Sequence, residues 1–156
     1  MILEEIKKEL LSSIKERKEP NISVLRMVIS AVFNKEMEKR LTLESNLSEE
    51  EIKEKIKLND EEMEAIIFSE VKKRRDSISD FEKGGRLDLA EKEKAEIEVL
   101  MKYLPKELSE EEIREIVKEA VSKNTDIGSV MKEVVPKTKG KADGSLVAKI
   151  VKEELN

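Results

Sequence analysis

The chain of 156 residues has no cysteine and no histidine. Without Cys it can form no disulfide, no thiolate metal site and no Cys nucleophile. Without His it loses the commonest general base and the commonest metal ligand. Tryptophan is absent and aromatic residues make up only 3%, which leaves few flat side chains on which an unpaired base could stack. No apolar run is long enough to span a bilayer. The first twenty residues, MILEEIKKELLSSIKERKEP, thread acids and bases through their apolar positions and so do not read as a secretory signal. A soluble, cytoplasmic protein without a membrane partner is the expectation.

Charge and aliphatic side chains fill the space that these absences leave. Charged residues make up 43%, with 31 Lys and Arg against 36 Asp and Glu, a formal net of -5. That mixture fits amphipathic helices that each bury one stripe and solvate the rest. Ile2, Ile6, Leu10 and Ile14 recur every four residues, with Leu3 and Leu11 beside them, and predict a first helix that ends before Pro20. Leu25, Val28, Ile29, Val32, Phe33 and Met37 predict a second, with Asn21 or Ser23 as its cap. From Leu41 to Asn59 the pattern is irregular, but Ser48 with Glu51 forms a capping box, which predicts a short helix between loops. Residues Glu44 to Glu64 hold nine acids against three Lys, a mutually repelling face.

A longer helix is expected from about Asp60 to Lys83, followed by Gly84-Gly85 and a second apolar line, Leu89, Ala90, Ile97, Leu100, Met101 and Leu104. Two helices around a short Gly turn make an antiparallel hairpin. Arg74 occupies an apolar slot in the first of them, and pairing with Glu93 or Glu70 is predicted to satisfy it. Pro105 to Leu108 reads as the boundary between an N-terminal helical subdomain, 1–105, and a C-terminal three-helix module, 106–156. Ser109 with Glu112 opens the first helix of that module. The fold class is all-α.

The stretch DIGSVMKEVVPKTKGKADGSLVAKIVKEELN, Asp126 to Asn156, reads as two short helices joined by a Lys-rich loop. Val130, Met131, Val134 and Val135 predict one buried face, and Leu146, Val147, Ile150 and Val151 the other. Pro136 is expected to stop or tighten the first helix, Gly140 to supply a flexible or left-handed position, and Asp143 to cap the second helix. From Lys132 to Lys152 there are six Lys against Glu133 and Asp143, a local net of +4 on an acidic chain. Such a patch points to an anionic partner. It can also be a solvated helical hairpin.

Catalytic motifs are missing. Gly140-Lys141 has no upstream Gly at phosphate-loop spacing and is followed by Ala142. The acidic stretches lack the central Gly of a calcium loop. Ser and Thr have no His to activate them. No catalytic residue, metal site or cofactor is expected.

KKRRDSISDFEKGGRLDLAEKEKAEIEVLMKYLPKELSEEEI, from Lys72 to Ile113, and VVPKTKGKADGSLVAKIVKEEL, from Val134 to Leu155, resemble the signature of the YqeY family. With LRMVISAVFNKEMEK near the start, the resemblance covers nearly the whole chain; the acidic segment from Leu41 to Asn59 looks longer than the usual family connection. The resemblance implies an all-helical fold of two subdomains. It also implies kinship with the tail of the B subunit of the tRNA-dependent glutamine amidotransferase, a tail that touches tRNA while the chemistry belongs to other domains. A label such as carbon-nitrogen ligase with glutamine as amido-N-donor then describes ancestry rather than activity.

These two lines meet on the C-terminal loop. Lys137, Lys139, Lys141, Lys149 and Lys132, with Lys152 beside them, are the expected phosphate contacts, joined by backbone N–H groups at the start of the last helix. The expected partners are tRNA and, through it, an amidotransferase or aminoacyl-tRNA synthetase. Lys72, Lys73, Arg74 and Arg75 form a second basic run, spread over several helix faces. The alternative is a protein-interaction module with no nucleic-acid role, in which the acidic helices dock a basic partner.

Overall fold

The aliphatic periodicities become eight α-helices and no strand in the computed structural model, which describes all 156 residues. The chain divides into two units, Met1–Tyr103 and Leu104–Asn156. The first holds α1 (Ile2–Glu16), α2 (Asn21–Leu41), α3 (Glu49–Ile56), α4 (Asp60–Lys83) and α5 (Leu87–Met101); the second holds α6 (Glu110–Lys123), α7 (Ile127–Thr138) and α8 (Gly144–Leu155). No helix is long and apolar enough to cross a membrane.

In the first unit α2 packs against α1, α3, α4 and α5. Its Val24, Leu25, Val28 and Val32 are buried, each contributing roughly 1.5–3 kcal/mol by leaving water. Phe33, expected in the same stripe, is 57% exposed, because apolar residues run around α2 and four neighbours do not cover every side. The stripe of α1 is buried at Leu3 and Ile6 and opens to solvent at Leu11 and Ile14. The irregular acidic segment does contain a short helix, α3, opened by the reciprocal bonds between Ser48 and Glu51. Its Ile56, and Leu58 just after it, are buried.

The cap expected for α2 differs. Neither Asn21 nor Ser23 caps it. The Asn21 side-chain amide, buried, donates instead to the Glu9 carboxylate of α1 at 2.9 Å. Glu9 also accepts from Tyr103 Oη and from Lys102 Nζ at 3.2 Å, so one carboxylate ties α1, α2 and the residues after α5. Asn21 is thus used for tertiary linkage, and Glu19 takes the Ser23 N–H at 3.3 Å.

The α4–α5 hairpin turns on Gly84 and Gly85, with Gly85 at φ +70°. Arg74 points inward as expected and is 5% exposed. Its partner across the hairpin is Glu96, however, not Glu93: Arg74 Nε donates to Glu96 at 2.9 Å, and Nη1 to Glu70 at 2.8 Å. The register explains the difference. Folding the chain about Gly85 puts residue 74 opposite residue 96, whereas Glu93 lies most of a helical turn away. Glu70 and Glu96 are themselves buried, and no buried side-chain nitrogen or oxygen lacks a partner.

Removing one member of a buried ion network leaves the others uncompensated, at a cost of ~3 kcal/mol or more. Arg74→Ala is therefore expected to lower the thermal midpoint of the chain by several degrees, and Arg74→Lys to rescue little, because one ammonium cannot span two carboxylates. An unchanged midpoint for Arg74→Ala would show that the network does not hold the hairpin.

Acid should weaken the same unit. Burial pushes the Glu70 carboxyl up, but hydrogen bonds from Lys73 and Arg74 outweigh it and hold the group below its ordinary 4.5. Glu9 behaves alike, its burial outweighed by Tyr103, Lys102 and Asn21. Carboxyls depressed in the folded state contribute stability that is complete above their unfolded value and is lost as pH falls through the folded one. The urea midpoint should hold near neutrality and fall below pH 4.5. Tyr103→Phe should make that fall shallower, since it removes a donor to Glu9.

Candidate nucleic-acid interface

The second unit is built mainly on aliphatic side chains. Ile113, Val117, Val134, Ile150 and their neighbours form its core. Each helix begins with a side-chain cap. Ser109 and Glu112 exchange bonds at the start of α6, and Asp126 accepts from Ser129 N–H at 2.9 Å at the start of α7. At the start of α8, Asp143 accepts from Ser145 N–H at 2.7 Å, as the sequence predicts. Arg114 of α6 reaches Glu153 at 2.7 Å and Glu154 at 3.2 Å on α8, and Glu110 on its own helix at 2.8 Å. These bridges tie the start of α6 to the end of α8.

The α7–α8 connection is a fixed turn. Thr138, 4% exposed, donates its hydroxyl to the Val134 carbonyl at 3.1 Å. Its own carbonyl accepts from both Lys141 and Ala142 N–H groups at 3.0 Å. Gly140 sits at φ +73°, the left-handed position that the sequence suggests. Leu108 N–H donates to the Lys141 carbonyl at 2.9 Å, which ties the turn to the segment before α6. Two expectations change. Helix α7 is not stopped at Pro136 but continues two residues past it, and the Lys139 N–H closes the last turn on Val135 at 2.9 Å. Val135, expected in the core, is 41% exposed, while Thr138 occupies the buried place one turn on.

Every Lys singled out from the sequence is exposed. Lys132 and Lys137 lie on α7, Lys139 follows its end, Lys141 is in the turn, and Lys149 and Lys152 lie on α8. Five residues apart, Lys132 and Lys137 look to different sides of α7, whereas Lys149 and Lys152 share a face of α8. Lys137 is pre-engaged, 3.8 Å from Glu119 and 3.7 Å from Glu133. Lys149 is 3.9 Å from Glu153. These long exposed bridges are weak and exchange readily with another anion.

The fold also brings in a cation that the sequence does not suggest. Lys123, at the end of α6, is 2.9 Å from Glu119 and 3.6 Å from Glu133, the two carboxylates that meet Lys137. Fourteen residues separate the two lysines, so only helix packing reveals the pairing. The backbone N–H groups expected at the start of α8 are partly spent: Asp143 takes the Ser145 N–H and places a carboxylate where an anion would sit. The lysines, rather than the helix terminus, carry the positive character of this surface. Across Leu104–Asn156 there are ten basic and eleven acidic residues, a net of -1. The +4 between Lys132 and Lys152 therefore stands against -5 on the rest of the unit.

The first unit offers less. A groove of about 310 Å³ between α2 and α4 has a floor of Ala31, Ala65 and Ile66. Its charged residues are already paired, Lys73 with Glu70 at 2.8 Å within the groove, and Lys35 with Glu38 at 2.9 Å and Glu62 with Lys39 at 2.8 Å outside it. Of the run Lys72 to Arg75, Arg74 is buried and Lys73 is held by Glu70.

The turn geometry can be tested directly. An L-residue at φ +73° meets no steric neighbour at Gly140 but carries the left-handed penalty of about 1–2 kcal/mol. Gly140→Ala should therefore speed amide exchange at Val147, Ile150 and Val151 in the full chain. Unchanged exchange would mean that the turn does not restrain α8.

The model of the Yqey-like protein family matches residues 40–155. The match begins just after LRMVISAVFNKEMEK, residues 25–39, and so leaves that segment out. An uncharacterized protein of Schizosaccharomyces pombe is 34% identical over 105 residues, covering 67% of this chain and 72% of the yeast protein. The chain belongs to the Yqey-like family.

Proposed function

We propose that this chain is an RNA-binding accessory factor of the cytoplasm, and that its C-terminal unit holds tRNA through phosphate contacts from Lys137, Lys139, Lys141, Lys149 and Lys132. One observation carries the reading: +4 is concentrated between Lys132 and Lys152 on a unit whose net charge is -1 and a chain whose net charge is -5. Solubility does not call for a patch of the minority sign, whereas a polyanion does. The kinship that the YqeY resemblance implies, with the tail of the tRNA-dependent amidotransferase B subunit, supports tRNA as the polyanion and tRNA-dependent amidation as the setting. An amidotransferase or an aminoacyl-tRNA synthetase is the protein partner that fits this setting. The chain positions RNA and performs no amide transfer itself.

Lysines act here as point charges that release counterions from the phosphates they meet. Lys137 contributes less than Lys141, because it must leave Glu119 and Glu133 to reach a phosphate. The joint variant Lys137→Ala, Lys139→Ala and Lys141→Ala should weaken tRNA binding. It should also flatten the plot of log affinity against log salt by roughly one unit for each phosphate that is no longer neutralised. A gel shift with no retardation of tRNA at low salt defeats the proposal. It would favour the protein-interaction reading, for which the exposed glutamates of α3 and its flanks are the motivating surface.

A further inference from the structure

We infer that the basic surface of the second unit is a backbone reader: it takes the paired, rigid phosphate backbone of folded RNA irrespective of base sequence, and rejects unpaired strands. The inference deepens the RNA reading above and rests on it. It follows from which recognition groups the unit has and from where the structure has committed them.

Unpaired bases are held by stacking on aromatic rings or on the planes of arginine guanidinium groups. Leu104–Asn156 contains no Phe, Tyr or Trp. It contains one arginine, Arg114, and that guanidinium is occupied by Glu110, Glu153 and Glu154 at 2.7–3.2 Å. No group in the unit is therefore available to grip a splayed base by its face.

Base edges are read by Arg, Asn, Gln and, in an open groove, Lys. Gln is absent from the whole chain. The unit has two asparagines. Asn124 donates to the Ala120 carbonyl and to Glu133, each at 2.9 Å, and Asn156 lies at the far end of α8 from the lysine-bearing turn. The hydroxyl of Thr138 is buried on Val134, that of Ser109 caps α6, and that of Ser122 donates to the Glu119 carbonyl at 2.6 Å. Thr125, Ser129 and Ser145 are short side chains beside helix starts, and the exposed glutamates repel phosphate, so the long exposed donor that remains is lysine. In A-form RNA the deep, narrow major groove keeps side chains from the base edges that lysine could read, so its ammonium meets phosphate.

Shape points the same way. The turn that carries Lys139 and Lys141 is held at both ends, by the doubly accepting Thr138 carbonyl and by the Leu108 N–H on Lys141. A fixed array of charges suits a ligand whose phosphates are also fixed. A flexible strand would have to be ordered to match it, with no stacking energy to offset the ordering.

The test uses the full chain, fluorescence anisotropy and three labelled probes of equal length: a tRNA transcript, a fully paired RNA hairpin of scrambled sequence, and oligouridine. The tRNA and the scrambled hairpin should bind within about threefold of each other and oligouridine about tenfold more weakly, for want of the stacking that holds single strands. The joint Lys137, Lys139 and Lys141 alanine variant, with its helicity checked by circular dichroism, should weaken both folded probes by the same factor. Three results overturn the inference while leaving the RNA reading intact: oligouridine as tight as the hairpin, tRNA more than about tenfold tighter than the scrambled hairpin, or unequal weakening of the two folded probes in the variant. Failure of all three probes to bind at low salt overturns the RNA reading itself.

Discussion

The guanidinium of Arg74 is the point on which the first unit is registered. It lies between two glutamates inside a bundle whose other buried side chains are mostly aliphatic, and it bonds the middle of α4 to the middle of α5. Aliphatic packing tolerates small slides along a helix, because one leucine is much like the next. A forked donor with two carboxylates does not, since a slide of one turn would leave a charge buried without its counter-ion. The α4–α5 hairpin is thereby held in one alignment. Helix α2, which packs against both helices, inherits a fixed surface on which Val24, Leu25, Val28 and Val32 can be buried. Glu9 plays a lesser part of the same kind, collecting donors from Asn21, Lys102 and Tyr103.

The second unit uses charge differently. Its core is mainly aliphatic, and its ion pairs lie at the surface, where each contributes little to stability. Their role there is to allot charge. Arg114 is consumed by three glutamates, and Lys123 and Lys137 share Glu119 and Glu133. The lysines of the turn and of α8 complete the basic surface, Lys149 resting 3.9 Å from Glu153. A chain with 43% charged residues can assemble such a surface without weakening a core, because none of the lysines concerned is buried.

Much of this is legible from the residues. The bounds of α4, the capping boxes at Ser48 and Ser109, the Asp143 cap and the left-handed Gly140 all follow from local chemistry, in which a side chain meets backbone within a few residues. Asn59 with Glu62 repeats the capping-box pattern at the start of α4 and can be read the same way. Glu96 as the partner of Arg74 is legible only to within a turn, because the alignment of a hairpin depends on how many residues the Gly turn consumes. Asn21 reads as a cap because its distant partner, Glu9, is not visible in sequence. Lys123 escapes notice for the same reason, being brought to Glu133 by packing alone.

Those differences bear on what the surface can do. Were Lys137 an isolated cation, it would meet a phosphate without breaking an ion pair. Packing instead gives it two carboxylate neighbours, and the same packing gives Asp143 to the α8 N-terminus. Positive charge is thus tempered at two places where a helix end or a lysine would otherwise bind any passing anion. A single free phosphate gains little at Lys137 or Lys149, because there it must displace a carboxylate. A polyanion that meets several lysines at once engages the later ones without a further loss of translational freedom. Carboxylates among the lysines therefore favour an extended chain of phosphates over small anions, and the constraint that shapes the ligand is set by α6 and α7 together with the loop.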